Sequence, residues 1–253
     1  MLHDSTTGYI KAKGGKIYEN SVKNMLVSEF TTLLQDDFKK NKVSGSVVGA
    51  KTDSATKTQQ KTDIRLEFDI TNKKTNTKTT LDFSVKKSSS KSDIVIHHGG
   101  SVFAYAKRFS TMGINEFDFL QDGRFQYVFV NEFQKSNSSE EFRQALQQLI
   151  TDFGFLFLGV EFRGISGADF LYVADKIYSF SSVLEKIRDN NEQYLSTVIK
   201  YRKEKLREEK LKYMSNHEGY YSESFINYSS ELGMKEIYSI AFTIKMKKSA
   251  LNI

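Results

Sequence analysis

The sequence predicts an α/β protein, on three observations. An early segment repeats apolar residues at helical spacing. Two later segments alternate apolar and polar residues, as half-buried strands do, across a polar connection. Helical and strand-like patterns then succeed one another toward the C-terminus.

The first helix is predicted over residues 16–40. Val22, Met25, Leu26, Phe30, Leu33 and Leu34 recur three and four residues apart and make one apolar stripe. Glu29 lies on that stripe, where an acid is costly unless a metal or a cation partners it; the bland alternative is an acid snorkelling at the stripe's edge. Residues 43–49 suggest a short strand, and 50–60 a polar loop. In 62–70, Ile64, Leu66, Phe68 and Ile70 alternate with polar residues, and in 80–86 Leu81, Phe83 and Val85 face away from Asp82, Ser84 and Lys86. The polar run 71–79 joins them as a hairpin, and 93–96 follows as a third strand of the meander. Further on, a short helix is expected near 101–110 and a strand at 125–130. Ser138 and Glu141 form a capping box that opens a helix with Phe142, Leu146, Leu149 and Phe153 on its apolar face. The apolar run 155–160 predicts an interior strand, and 170–173 another. A second box, Ser182 and Glu185, starts a helix expected to reach about residue 214. Its charged half, residues 200–212, suits ion pairs along a solvated face better than a DNA-binding face. Tyr238, Ile240, Phe242, Ile244 and Met246 share one side of a last strand, 236–246. The reading divides the chain into a core, 16–160, and an extension, 161–253, packed on it.

With 253 residues, 39% of them hydrophobic, the chain is long enough to bury a core. No run approaches the ~18 apolar residues of a membrane span, and residues 1–9 lack the apolar stretch of a secretory signal, so a cytoplasmic protein is expected. The absence of cysteine excludes disulfides, thiol nucleophiles and thiolate-bound zinc. Only four histidines are present, His3, His97, His98 and His217, so a metal would be held mainly by oxygens, which favours Mg²⁺ or Mn²⁺. The net charge of +6 suits a phosphate-bearing partner, and equally a lysine-rich solvated surface. The lack of proline and tryptophan, with abundant lysine, asparagine, serine and phenylalanine, points to an AT-rich coding genome such as that of a phage or low-GC bacterium.

The chemistry-bearing feature is the hairpin. Asp63 opens one strand; Ser84 and Lys86 share a face of the next. Paired strands bring these groups to one edge of the sheet. A carboxylate there can hold a divalent cation that polarises a phosphate and acidifies a water, and a lysine can orient that water or stabilise charge on the transition state. The plain structural alternatives are a turn residue at Asp63 and an edge-guarding lysine at Lys86.

The runs Lys61-Thr62-Asp63-Ile64 and Phe83-Ser84-Val85-Lys86 resemble the PD-(D/E)XK nuclease superfamily, the restriction-endonuclease-like proteins, over roughly residues 16–160. The resemblance implies a core of helix, three-stranded meander, helix and strand, followed here by a helical and strand extension. It implies Mg²⁺- or Mn²⁺-dependent cleavage of DNA, with Asp63 as metal ligand, Lys86 as catalytic lysine and the Val85 carbonyl as a further ligand. Ser84 stands where the family has Asp or Glu, and Thr62 where it has proline. Glu29, Glu19 and Asp82 are the candidates for the missing carboxylate, with Glu29 first because its stripe turns it inward. Basic residues of the second half would grip the DNA backbone, and a homodimer would let both strands be cut. A non-catalytic nucleic-acid-binding protein of the same fold and a phage structural or host-interaction protein are the alternatives. Gly99-Gly100-Ser101 as a phosphate-binding turn, His97 and His98 as phosphate contacts, Gln144, Gln147 and Gln148 as DNA contacts, and Tyr220 and Tyr221 as base-stacking groups are weaker candidates, each with an ordinary structural explanation.

Overall fold

The fold comes from a computed structural model, which describes residues 3–37, 41–48, 62–71, 75–87, 93–101, 103, 109–110, 113–115, 117–134, 139–154, 158, 167–205, 225, 227, 230–233 and 236–253. It is α/β, with one mixed and one antiparallel sheet. The chain forms two compact units that interleave in sequence: 1–88 with 161–183, and 89–160 with 184–253. The sequence-based division has a single boundary, after residue 160.

In the first unit, α1 (His3–Asp37) leads into β1 (Lys42–Val47), β2 (Ile64–Thr71) and β3 (Asn76–Lys86). These three strands are an antiparallel meander, in which Val47 is opposite Ile64 and Ile64 opposite Phe83. β5 (Phe170–Val173) adds parallel to β3, and β6 (Lys176–Ser179) closes the sheet in the order β1-β2-β3-β5-β6. The meander thus begins one strand earlier than the hairpin pattern suggested. The segment 93–96, read as its third strand, belongs to the other sheet.

The core of this unit is the predicted stripe against the predicted strand faces. Val22 and Leu26 of α1 meet Ile64, Leu66, Phe68, Phe83, Val85 and Tyr172, all buried. Phe30 sets its edge against Phe68 at 5.4 Å, and Phe83 stacks on Phe170 at 5.3 Å. Leu33, assigned to the stripe, is exposed. Gly45 lets α1 approach β1 closely: a Cβ there would lie 2.7 Å from Val27 Cγ2 and 2.9 Å from Leu66 Cδ2. The β5–β6 turn is Ala174-Asp175 with φ of 49° and 59°, the two-residue hairpin geometry that matches strand twist. Asp175 tolerates that conformation, and the Tyr172 hydroxyl donates to its Oδ1 at 3.0 Å.

The second unit carries β4 (Ile94–Ser101), α2 (Gly123–Gln134), α3 (Ser139–Asp152), the later turns of α4 (Phe180–Arg188), α5 (Asn191–Tyr194), β7 (Leu195–Lys205) and β8 (Glu236–Met246). Its sheet has β8 in the middle, β4-β8-β7, with Phe242, Ile244 and Met246 fully buried on the side the alternation predicted. Three expectations change here. Residues 125–130 are helical, because Asp122 Oδ1 accepts the amides of Arg124 and Phe125 and caps α2. Gly99 and Gly100 lie within β4 rather than in a turn, and beyond them Phe103, Phe109 and Ser110, in the stretch expected as a short helix, are helical. The helix begun near Ser182 stops at Arg188, and the charged stretch from Lys200 to Lys205 is strand. Thr197, Val198 and Ile199 explain this, since consecutive β-branched residues favour an extended chain. The capping box at Ser138 and most of the run 155–160 lie outside the described residues, as do 206–224 with Tyr220 and Tyr221; α3 itself spans Ser139–Asp152.

Gly45→Val should destabilise the chain by about 1–3 kcal/mol through overpacking of the α1–β1 contact, measured by urea unfolding. An unchanged unfolding midpoint would mean that this close approach is not maintained in solution.

Candidate functional site

The site forms where β2 and β3 part. Their pairing runs to Ile64 and Phe83, and one further backbone bond joins the Asp63 amide to the Phe83 carbonyl at 2.8 Å. Beyond it, β3 continues alongside β5, while Thr62 turns aside and donates its hydroxyl to the Gly167 carbonyl at 3.0 Å. The Val85 amide, on the edge that β2 has left, takes Asp63 Oδ2 instead, at 2.7 Å. Ser84 Oγ donates to the same oxygen at 3.2 Å, and Lys86 Nζ stands 3.6 Å from it. Strand geometry sends the Val85 carbonyl out of the same edge as its amide. Asp63, Ser84, Val85 and Lys86, singled out from the sequence, therefore converge on one point.

The first-helix acids are ordered differently from the expectation. Glu29 is exposed, and its charge acts on Tyr172 of β5. It lies ten residues along α1 from Glu19, about 15 Å at helical rise. Glu19 is half-buried and faces the site. Burial pushes its carboxyl above the ordinary carboxylate range, the negative charge of Asp63 adds to the shift, and Lys86 and Lys16 oppose it. No hydrogen bond or ion pair reaches Glu19 among the described residues. Asp82 does not join the cluster. It is opposite Arg65, whose guanidinium grips both carboxylate oxygens at 2.7 Å, while its main chain exchanges hydrogen bonds with Asp169 at 2.8 and 3.0 Å. This is a structural clasp between β2, β3 and the strand-entry segment of β5.

Three nearby residues carried no mark in the sequence. Tyr18 precedes Glu19, with Lys87 Nζ 5.9 Å above its ring; burial and then the charge of Asp175 raise its hydroxyl pKa. Tyr172 is shifted further in the same direction, first by burial and then by its bond to Asp175. Tyr18 and Asp175 are far apart in sequence, so only the assembled fold sets that charge near the Tyr18 hydroxyl. Two glutamines of α3 are engaged within their own unit: Gln148 bridges Asp152 and Glu192, at 2.7 and 2.9 Å, and Gln144 reaches Glu140 at 3.4 Å. His97 and His98 are in β4, in the other unit. Among the described residues no group of three or more His, Cys, Asp or Glu stands ready for a metal ion, and no helix is long and apolar enough to cross a membrane.

The raised pKa of Glu19 means that the folded chain binds this proton more tightly than the unfolded chain does. Its ionised form therefore opposes folding at neutral pH, and that penalty fades as pH falls toward the ordinary glutamate value of ~4.3. In metal-free buffer, Glu19→Gln should unfold at higher urea than the parent chain at pH 7 and at the same urea below pH ~4. A Glu19→Gln advantage that grows toward acid pH would contradict the environment described for this carboxyl.

No protein-family model matches the chain, and neither a curated protein nor a solved structure is significantly similar to it.

Proposed function

We propose that the chain is a metal-dependent endodeoxyribonuclease whose first unit is a variant restriction-endonuclease-like core. The observation that carries this reading is the Lys86 ammonium 3.6 Å from Asp63 Oδ2 at the parting of β2 and β3, with the Glu19 carboxyl facing both. The element order supports it: a helix, three antiparallel strands, then a strand parallel to the third. The second core helix of that family has no counterpart among the described residues of this unit between β3 and β5.

The donor set fits a hard divalent cation. Asp63 and Glu19 offer carboxylates, the Val85 carbonyl shares their edge, and Mg²⁺ commonly takes one or two carboxylates and keeps several waters. Bound there, Mg²⁺ or Mn²⁺ would polarise the scissile phosphate and lower the pKa of a coordinated water. The residues of the chain would do the rest. Asp63 and Glu19 hold their oxygens toward the site. Lys86 places positive charge where negative charge grows on the phosphoryl oxygens and orients the attacking water. Lys16 and Lys87 add to the positive field that draws a polyanion in.

A second reading, a DNA-binding protein without catalysis, is favoured by Ser84. It is fully buried at the position of the usual second acid, so the site has two carboxylates rather than three. Incubation with supercoiled plasmid separates the two. The nuclease reading expects nicking only with Mg²⁺ or Mn²⁺, lost in Asp63→Ala and reduced about a hundredfold or more in Lys86→Ala. Retention of DNA without nicking would support the second reading, and neither nicking nor retention would sink both.

A further inference from the structure

Ser84 has no exposed surface, and a hydroxyl in that position requires a partner. Its partner is Asp63 Oδ2, at 3.2 Å. The same oxygen takes the Val85 amide at 2.7 Å and faces Lys86 Nζ at 3.6 Å. All the donors therefore gather on one oxygen. Asp63 Oδ1 accepts no hydrogen bond among the described residues. A carboxylate has about four lone-pair sites on its two oxygens, so this one-sided loading leaves half of its capacity unused.

The two hydrogen bonds differ in what they fix. The Val85 amide alone would let the carboxylate pivot about the O···N line, because the terminal torsion of an aspartate is soft. The Ser84 hydroxyl approaches from the neighbouring residue and from a side chain rather than the main chain, so it removes that freedom. Lys86 is longer and more mobile, and at 3.6 Å it contributes charge rather than direction. An acid at position 84 would instead set a second negative charge against Oδ2, in a buried position already facing Asp63. A short neutral donor is the group that orients Asp63 without repelling it.

We propose that Ser84 is a positioning residue: its hydroxyl, together with the Val85 amide, fixes the plane of the Asp63 carboxylate and reserves Oδ1 for the divalent cation. This rests on the metal-dependent reading above. On this reading, the serine in place of the usual second acid is a working part of the site.

The test is Mn²⁺ binding by the metal-free full chain, followed by the electron paramagnetic resonance signal of free Mn²⁺, with a thermal midpoint recorded for each variant. Wild type should bind Mn²⁺ and Asp63→Asn should not. Ser84→Ala should bind about tenfold more weakly while remaining folded, the usual consequence of removing a group that orients a ligand. Ser84→Cys nearly keeps the volume but offers only a weak S–H donor, so it should also lose affinity. It decides the question if the alanine variant does not fold. Unchanged affinity in a folded Ser84 variant would overturn the positioning role and leave the cation reading standing. No binding by wild type at millimolar Mn²⁺ would overturn both.

Discussion

The first unit depends on how the seam between β2 and β3 is finished. Two antiparallel strands that separate leave an amide on the inner edge without an acceptor, and an unpaired buried amide costs about 1–3 kcal/mol. Here Asp63 fills the gap with its side chain, while its own amide and carbonyl extend the ladder to Phe83 on one side and to Val48 on the other. The same residue is therefore both the last rung of the sheet and the charged group at its mouth. The geometry that could serve chemistry is a by-product of satisfying backbone hydrogen bonds.

Around this seam the charges are unevenly supported. Asp82 is fully occupied by Arg65, and Asp175 by Tyr172. Glu19 has only the distant influence of Lys86 and Lys16 to offset burial and the proximity of Asp63. A structural carboxylate is normally matched by donors, as Asp82 is, so an unmatched one facing another acid distinguishes the cluster at the strand ends from the clasp beside it.

Much of the first unit was legible because its signals are local and redundant. The stripe of α1 and the alternation in β2 and β3 each specify a buried face, and those faces do meet. Asp63 and Lys86 could be paired in advance because hairpin register follows from alternation and a polar connection. Choosing between Glu19 and Glu29 needed topology: both lie on α1, but α1 descends into β1 and β1 climbs back to Val47, beside Ile64. The mouth of the sheet therefore lies toward the N-terminal part of α1, where Glu19 is. The second unit was less legible. The capping residue Asp122 outweighed the strand-like run after it, and three β-branched residues outweighed a charge pattern that looked helical. The return of residues 161–183 to the first sheet leaves no trace in any local pattern, because parallel partners such as Phe83 and Phe170 are specified only by the assembled fold.

That return has a consequence for the growing chain. While residues 89–160 emerge from the ribosome, at about 5–20 residues per second, β3 waits for several seconds with one edge unpaired and Phe83 without its stacking partner. The nascent meander is a half-finished sheet during that interval and must resist joining its neighbours on the same message. The polar first half of β3, all threonine, asparagine and lysine from Asn76 to Thr80, makes such joining less favourable.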